Sequence, residues 1–534
     1  MLNRRMLLKG MLAMPIAAVI AGRKTSRGEP PFTADYGVAS GDPKPSSVVL
    51  WTRVPEAAQP LGGGTIGVQY QVAGSSSFEP GSIVIQGEVA TDAANDYTVK
   101  VLVEGLEPAT RYFYRFVTAS GYQSVVGRTK TAPAPDAQPD TVSFAFVSCQ
   151  QFIDGYYSVF ARLALEDVDF CAHLGDAIYE GGNPFVARPF REDPVGEART
   201  LTAYRQKYQL YLSDPVYREV RRRFPWVVVW DDHELVNNYA GSVIAEQDPQ
   251  RQRDAYTAFL EYTPIQPVMP LSPDGLPSVQ IYRQLSFGTL LEIFALDARQ
   301  YRDGVVCERD ILVKGCPELD NAARTMLGQA QRDWLHTALA ASRARWRCVL
   351  NQMMMMRLAV ASASGTKAEG LPLAALRQPV QIDQDVYVNL DAWDGYPHER
   401  ATLLQWIADQ GIANVVVCSG DFHNCYAGVL KPDFTNPESP AVAVEVLGGS
   451  VTSYGATEYF GRDLTAQARQ IIPRVNPHIA YLDLKYHVYT KVDVTPGHME
   501  VSYIAARTVA QPISQTFLLQ RLTIPDGEPR LIVS

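Results

Sequence analysis

The chain has 534 residues, enough for two or three domains and at least one large hydrophobic core. Its formal net charge of −9 argues against a general nucleic-acid-binding protein, which would carry a basic patch or an elevated isoelectric point, so we expect no specific nucleic-acid recognition. Hydrophobic residues at 46% and charged residues at 20% are typical of a globular protein.

The N-terminus has the pattern of an export signal. Arg4 and Arg5 precede an apolar stretch, residues 11–22, that is too short to span a bilayer and ends in small residues. Because Leu-Leu-Lys follows the arginine pair, residues 1–30 are predicted to be a twin-arginine-type signal; the alternative is an ordinary secretory signal. We therefore expect a periplasmic or secreted protein that uses the twin-arginine export machinery and keeps no stable membrane span once the signal is removed.

Residues 31–132 have the pattern of a small all-β sandwich. Runs of β-branched and aromatic residues, separated by turn-forming residues, predict strands at 48–54, 66–72 and 97–103. The segment 106–114 has the pattern of the turn and tyrosine corner of a fibronectin-type sandwich. The Pro- and Ala-rich residues 133–140 are predicted to be a linker.

From residue 141 to residue 534, strands alternate with helices, which predicts an α/β domain. Buried strands are predicted at 143–148, 169–174, 226–230, 290–296, 346–350 and 415–418. Helices are predicted at 156–167, 199–223, 329–342 and 399–410.

Each of these buried strands is followed by side chains that can coordinate metal ions or transfer protons. The polar clusters begin at Ser148, Gly175, Asp231, Asp297, Asn351 and Ser419. Taken singly, an Asp after a strand is most often a turn residue or a helix cap. Ligands of open α/β sheets bind beyond the carboxyl ends of the strands, so six clusters on one edge predict one shared site.

The residue types in these clusters suit metal-dependent hydrolysis of phosphate esters, in which adjacent metal ions activate water and neutralise phosphoryl charge. Asp176 is suited to bridge two metal ions. Tyr179 and Cys149 would add a phenolate and a thiolate, which favour a ferric ion. Asp232 and Asp421 would bind a harder cation such as calcium or magnesium.

Two histidines complete the candidate site. His423 is a further possible ligand, and His233 is suited to protonate the leaving group. The sequence contains no Gly-x-Ser-x-Gly, Walker or His-Glu-x-x-His motif that would indicate a different hydrolase chemistry.

Seven cysteines bear on the redox environment. Cys307 and Cys316 lie in a polar, Gly-containing segment and would close a small disulfide loop in an oxidising compartment. Cys171, Cys348 and Cys418 lie in apolar strand-like segments and are expected to be buried thiols.

These blocks, in this order, resemble those of the PhoD-like alkaline phosphatases. The resemblance rests on segments 37–43, 50–54, 148–150, 175–180, 230–234, 296–302, 351–354, 419–423, 481–483 and 492–496. It implies a small all-β fibronectin-like sandwich followed by a four-layer α/β sandwich of the calcineurin-like metallophosphoesterase type. It also implies ferric iron (Fe3+) and calcium (Ca2+) as cofactors.

The resemblance also assigns roles to residues of this chain. The residues that would hold iron are Cys149, Asp176, Tyr179 and His423. Those that would hold calcium are Asp176, Asp232 and Asp421, with Asn238 as a further candidate ligand. The implied catalytic residues are His233, Asp232 and Arg299, the last as a phosphate-binding group.

The predicted function is that of an exported metal-dependent alkaline phosphatase or phosphodiesterase, in which a metal-bound hydroxide attacks small phosphate esters. One alternative is a phospholipase D-like phosphodiesterase that acts on phospholipid head groups. Another alternative is an exported binding module with an inactive hydrolase domain. The intact set of candidate ligands argues against this alternative.

Overall fold

The computed structural model describes residues 35–183, 189–267, 279–307, 311–361 and 386–534. The predicted export signal lies outside the described residues. No helix within them is long and apolar enough to cross a bilayer.

The strands of the described residues form four sheets. In chain order they are β1 (Val38–Gly41), β2 (Ser47–Arg53), β3 (Ile66–Ala73), β4 (Ile83–Thr91), β5 (Thr98–Glu104), β6 (Arg111–Thr118), β7 (Gly127–Lys130), β8 (Val142–Val147), β9 (Phe170–His173), β10 (Pro225–Val228), β11 (Arg283–Phe287), β12 (Leu291–Ala295), β13 (Ile311–Lys314), β14 (Trp346–Leu350), β15 (Ala359–Ala361), β16 (Val386–Asn389), β17 (Val415–Ser419), β18 (Cys425–Leu430), β19 (Ala443–Leu447), β20 (Ile479–Asp483), β21 (Val488–Val494), β22 (His498–Ala506), β23 (Thr516–Pro525) and β24 (Ile532–Val533). The predicted strands form at their predicted positions, within two residues at each end.

Two large sheets dominate. The ten-stranded sheet has the order β24-β23-β22-β21-β8-β9-β10-β1-β2-β5, and the seven-stranded sheet has the order β11-β12-β14-β17-β19-β18-β20. A four-stranded sheet, β4-β3-β6-β7, and a three-stranded sheet, β13-β16-β15, complete the set in the described part of the chain. Strands β8, β9 and β10 run parallel to one another, as do β12, β14, β17 and β19.

The helices flank the large sheets. They are α1 (Ser158–Leu163), α2 (Leu201–Leu212), α3 (Pro215–Arg223), α4 (Gly241–Gln247), α5 (Pro249–Tyr262), α6 (Gly328–Ala341), α7 (Pro397–Asp409), α8 (Ala456–Phe460) and α9 (Thr465–Val475). The single helix predicted at 199–223 is two helices, because Asp214 is extended before Pro215 and caps α3 by accepting from the backbone N–H of Val216 and Tyr217.

The core between the two large sheets contains apolar residues from both of them. Phe170 of β9 stacks on Phe287 of β11, with ring centroids 4.4 Å apart, and so joins the two sheets directly. A second core lies between the seven-stranded sheet and helices α6 and α7, which contribute Leu335 and Leu403. Helices, two packed sheets and further helices thus form the expected four-layer α/β sandwich.

The N-terminal strands form the expected all-β sandwich. Val68, Tyr114 and Phe116 of the four-stranded sheet pack against apolar residues of β1, β2 and β5. The predicted tyrosine corner is present, since the Tyr112 hydroxyl accepts a 3.0 Å hydrogen bond from the backbone N–H of Glu107.

One sheet continues from this sandwich into the α/β domain. Strand β1 pairs in parallel with β10, and Gly41 lies opposite Trp226. A Cβ atom at Gly41 would lie 2.2 Å from the carbonyl oxygen of Pro264, so only glycine allows this close approach. The two parts of the chain are therefore held by backbone hydrogen bonds as well as by the segment at 133–140.

Cys307 and Cys316 form a disulfide bond, with Cα atoms 5.5 Å apart, as their sequence context suggested. The other five cysteines are free and buried: Cys149, Cys171, Cys348, Cys418 and Cys425.

The ion pair between Asp42 and Arg283 ties β1 to the seven-stranded sheet. Asp42 Oδ1 accepts from Arg283 Nε at 2.9 Å and Nη2 at 2.6 Å, and Asp42 Oδ2 accepts from the backbone N–H of Gln266 at 2.9 Å. We expect Asp42→Ala to lower the free energy of unfolding by about 3 kcal/mol, because it leaves a buried guanidinium without its carboxylate.

Chemical denaturation measures this change. The matched control is Asp167→Ala, which removes the Asp167 side chain, 80% exposed, from its pair with Arg111 and should change stability by less than about 1 kcal/mol. Equal effects of the two variants would contradict a structural role for the buried pair.

Candidate active site

The candidate ligands follow strands of both large sheets. Cys149, Asp176 and Asp232 come after β8, β9 and β10, whereas Asp421 and His423 come after β17 of the seven-stranded sheet. The site therefore forms where the carboxyl ends of parallel strands from two packed sheets meet. The sequence predicted that the clusters lie on one edge of a single sheet, but they lie on two facing edges of two different sheets.

Several of these residues have a backbone conformation that is rare for residues other than glycine. Positive φ angles occur at Cys149 (59°), Asp176 (59°), Asn238 (56°), Asp421 (65°) and His423 (58°). Such conformations carry a local energetic cost and persist where the surrounding structure holds them. Here they turn the chain sharply after each strand and direct side chains toward one point.

The ligand atoms form three overlapping groups, within each of which the atoms lie within 4.8 Å of one another. The groups are Cys149, Asp176 and His423; Asp176, Asp232 and His233; and Asp231, Asp232 and Asp421. Asp176 belongs to the first two groups and Asp232 to the last two. Shared carboxylates of this kind suit two or more adjacent cations.

Tyr179 joins the first group through its hydroxyl. That hydroxyl donates to Asp176 Oδ2 at 2.7 Å and lies 3.3 Å from His423 Nε2. Its ring stacks on His233 with centroids 4.1 Å apart. The predicted residues Asp176 and His423, which follow β9 and β17, thus meet at the oxygen of Tyr179.

Ser453 contacts the same oxygen and was not among the predicted site residues. Its Oγ lies 2.7 Å from the Tyr179 oxygen and accepts a 3.1 Å hydrogen bond from the backbone N–H of Gln151. Because Tyr179 gives its own proton to Asp176, the Ser453 hydroxyl is the donor to Tyr179. The Gly- and Ser-rich run after β19 was the available sequence signal, since it follows a further buried strand.

His423 has the orientation of a metal ligand. Its Nδ1 lies 2.7 Å from the carbonyl oxygen of Tyr454, so Nδ1 carries the proton and Nε2 presents a lone pair toward Tyr179. Burial lowers its pKa to about 4, which keeps the ring neutral. A neutral imidazole with one nitrogen held by a carbonyl is the usual form of a ligating histidine.

His233 is held by Glu180, whose Oε2 lies 2.7 Å from Nδ1. Glu180 Oε1 also accepts from the backbone N–H of Asn237 at 3.0 Å, which fixes the carboxylate. Burial opposes a charge on His233, but Glu180, Asp232 and Asp176 outweigh it and raise its pKa well above the usual value. His233 is thus suited to carry a proton beside the candidate ligands.

The carboxylates of the site are crowded in a way that a cation would relieve. Burial raises the pKa of Asp176 and of Asp421 well above the usual value, and neighbouring carboxylates add to the effect. Among the described residues, Asp231 Oδ2 and Asp232 Oδ1 are buried and have no hydrogen-bond partner. Orphaned acceptors beside repelling carboxylates fit the donor set of a cation site.

Arg299 is fully buried among these carboxylates. It donates to Asp231 Oδ1 and to Asp391 Oδ2, each at 2.5 Å, and to Asp421 Oδ1 at 3.2 Å. Its Nη2 also lies 3.5 Å from Asp232 Oδ1. Arg299 therefore fixes the positions of the carboxylates. The resemblance implied a different role for it, that of a phosphate-binding group.

Asn238 approaches the site through its main chain. Its N–H donates to Asp232 Oδ2 at 2.6 Å, and its carbonyl oxygen accepts from Arg302 at 2.8 Å. Arg302 in turn donates to Asp391, a buried residue that sequence reasoning did not single out.

Glu234 supports two of the strand ends at once. Its carboxylate accepts from the backbone N–H groups of Asp176 at 3.0 Å, Ala177 at 2.6 Å and Asp231 at 2.8 Å. This buried side chain is in the predicted cluster after β10, but its role is to hold the backbone rather than to bind a ligand.

Two of the six predicted polar clusters serve mainly to hold the backbone. Asp297 accepts from Trp230 Nε1 at 2.9 Å and from the backbone N–H of Gln300 at 3.0 Å. Asn351 donates to the carbonyl oxygen of Met353, and Gln352 donates to the carbonyl oxygen of Leu296 at 2.7 Å. Of the Asp297 cluster, only Arg299 reaches the carboxylates of the site.

A cleft of about 430 Å3 opens beside the ligands. Its lining residues include Tyr179, His233 and His423 from the site itself. The others are Gln151, Asp154, Glu180, Gly181, Gly182, Asn183, Asn237, Ser453 and Tyr459. A volume in this range suits a small-molecule ligand.

The buried position of Arg299 leads to a test. We expect Arg299→Met to lower the free energy of unfolding of the metal-depleted protein by about 3–5 kcal/mol, because the variant leaves buried carboxylates without their cation. Urea denaturation gives the value. Arg345→Met is the matched control, since Arg345 is 48% exposed in its pair with Asp526 and should change stability by less than about 1 kcal/mol.

A different outcome would favour the role implied by the resemblance. If Arg299→Met were as stable as the control and only raised KM for a phosphate ester, Arg299 would be a substrate-binding group.

Comparison with known proteins identifies the family. Residues 144–503 match the family model of the PhoD-like phosphatases, and residues 17–133 match that of their N-terminal domain. Alkaline phosphatase D of Bacillus subtilis (strain 168) is 36% identical over 496 residues, which cover 90% of this chain and 79% of that protein. The solved structure of PhoD matches with a TM-score of 0.83 and 32% identity, covering 95% of this chain and 93% of that one. The chain therefore belongs to the PhoD-like phosphatases and is a metal-dependent phosphoric ester hydrolase.

Proposed function

We propose that the protein is an exported phosphatase that holds one ferric ion and calcium ions and acts on small phosphomonoesters and phosphodiesters. The observation that carries this proposal is the set of three overlapping ligand groups at the meeting point of the two sheets. The carboxylates shared between the groups support cation positions that lie next to one another.

The donor chemistry divides the site in two. Cys149, Asp176, Tyr179 and His423 would hold the ferric ion, since a thiolate and a phenolate favour a highly charged, redox-active metal. Asp176, Asp232 and Asp421 would hold calcium, which prefers oxygen ligands, with Asn238 as a further candidate. Asp231 joins the second set in this structure, because its carboxylate belongs to the same group of ligand atoms.

When bound, the ions supply an acidified water molecule and neutralise charge on the phosphoryl oxygens. The protein's own groups position the ester and handle its protons. His233 lines the cleft with Nδ1 held by Glu180, which leaves Nε2 to give a proton to the departing alcohol. Arg299 and Glu234 keep the carboxylates and the strand ends in place, so little reorganisation is required during the reaction.

Two observations support an extracytoplasmic location. The N-terminal residues have the pattern of a twin-arginine signal, whose machinery would be the export partner. The disulfide between Cys307 and Cys316 suits an oxidising compartment, either the periplasm or the medium.

The cleft bears on the choice of substrate. Its volume of about 430 Å3 and the many polar residues in its lining suit a compact ester. We therefore place small phosphate esters ahead of phospholipids, the substrates of the phospholipase D-like alternative.

Metal analysis combined with activity assays tests the proposal. We expect the purified protein to contain iron and calcium and to hydrolyse p-nitrophenyl phosphate and bis-p-nitrophenyl phosphate faster than phospholipid vesicles. A chelator should abolish the activity, and calcium should restore it after calcium-selective chelation. Activity that persists without bound metal would contradict the proposal. Faster hydrolysis of phospholipid vesicles than of the small esters would favour the phospholipase D-like alternative.

The thiol of Cys149 gives a sharper test of the iron site. We expect Cys149→Ala to lower iron content by roughly tenfold or more and to lose visible charge-transfer absorption, because the variant removes a ligand. Cys171→Ala is the matched control, since Cys171 is also free and fully buried but lies within β9. Iron retained in the first variant, or lost equally in both, would remove Cys149 from the ligand set.

A further inference from the structure

One wall of the cleft contains a buried carboxylate that the proposed chemistry does not use. Asp154 follows Cys149 by five positions and is 0% exposed. Its Oδ2 accepts from Asn183 Nδ2 at 3.1 Å and from the backbone N–H of Tyr454 at 3.2 Å. Its Oδ1 has no hydrogen-bond partner in the described part of the chain. An unpaired carboxylate oxygen at full burial is costly, so its retention beside the site calls for a ligand.

The charges of the cleft single out Asp154. Its lining residues include two carboxylates and, among those the structure describes, neither Lys nor Arg. The other carboxylate, Glu180, is already engaged with His233 and with the backbone N–H of Asn237. Asp154 therefore makes this end of the cleft negative.

The groups around Asp154 leave it ionised in alkaline solution. Burial raises its pKa to about 6, nearby Glu458 raises it, and His487 lowers it. His487 faces Glu458 at 3.5 Å and Ser450 Oγ at 2.9 Å, so it is committed to other partners. Well above that pKa, in mildly alkaline solution, the carboxylate carries its charge.

An aromatic ring lies at the same end of the cleft. Tyr459 lines the cleft, is 48% exposed and hydrogen-bonds Asn183, the residue that holds Asp154. Tyr454 packs edge-on against this ring, with centroids 6.4 Å apart. A half-exposed ring face beside a carboxylate is a favourable environment for an organic cation.

We propose that Asp154 and Tyr459 form a subsite for the alcohol part of the ester and favour alcohols that carry a primary ammonium group. This inference rests on the proposed function, since it requires the phosphoryl group to bind at Tyr179 and His233. An ammonium group would supply the missing hydrogen bond and the missing positive charge, and the low dielectric of the cleft strengthens both. An alcohol that carries a carboxylate would instead face repulsion.

Three esters of similar length and different terminal charge test the subsite: phosphoethanolamine, propyl phosphate and the phosphate ester of 3-hydroxypropanoate. With the metal-loaded protein, we expect kcat/KM to be about tenfold higher for phosphoethanolamine than for propyl phosphate, and higher for propyl phosphate than for the phosphate ester of 3-hydroxypropanoate by a similar factor. In Asp154→Asn, which keeps an oxygen acceptor but removes the charge, both ratios should fall toward one. Ratios within one variant cancel any change that affects all three esters.

Two controls separate the subsite from a structural role. Asp140→Asn removes an exposed carboxylate just before β8, at the far end of that strand from Cys149, and should keep the wild-type ratios. Tyr459→Phe keeps the aromatic ring and should keep the ammonium preference. Tyr459→Leu removes the ring and should reduce that preference. The Tyr459 variants also keep the test decisive if Asp154→Asn does not fold.

The outcomes are distinguishable. Equal ratios in the wild-type protein and Asp154→Asn, or no ammonium preference in the wild-type protein, would overturn the subsite while hydrolysis of propyl phosphate still supports the proposed function. If none of the three esters is hydrolysed, the proposed function fails. Calorimetric titration with the same esters then tests the subsite separately, since we expect the same order of affinities without turnover. A different order of affinities would overturn the inference.

Discussion

The buried carboxylates at the meeting point of the two large sheets are the constraint on which the rest of the site depends. Asp176, Asp231, Asp232 and Asp421 lie close enough that their ionised forms repel one another inside the protein. The chain meets this cost partly with Arg299, whose guanidinium contacts several of them. The remaining deficit of positive charge is the physical basis of the proposed cation site.

Holding such a cluster requires a rigid frame. Three backbone N–H groups donate to Glu234, and this fixes the ends of two adjacent strands. Left-handed backbone conformations then turn Cys149 and Asp421 inward from opposite sheets. Because the sheets are joined by stacked aromatic rings and the core between them, these turns cannot relax independently.

The N-terminal sandwich contributes to the same frame. Its strand β1 extends the sheet that carries β8, β9 and β10, the strands that precede Cys149, Asp176 and Asp232. The ion pair between Asp42 and Arg283 then connects that strand to the opposite sheet. The sandwich is thus a continuation of the sheet on which the site is built, and its stability is coupled to that of the site.

The sequence by itself determined the positions of nine strands, of helices α6 and α7 and the chemical identity of most candidate ligands, because local periodicity and strand-end residues are short-range features. Tertiary structure decided which clusters meet. Local patterns could not assign β8 and β17 to different sheets, nor show that Asn351 holds the backbone while Ser453 reaches Tyr179. The burial of Arg299, and the Asp154 oxygen that finds no partner among the described residues, are likewise properties of packing. Such facts depend on contacts between residues hundreds of positions apart, and hydrophobic periodicity contains no information about those contacts.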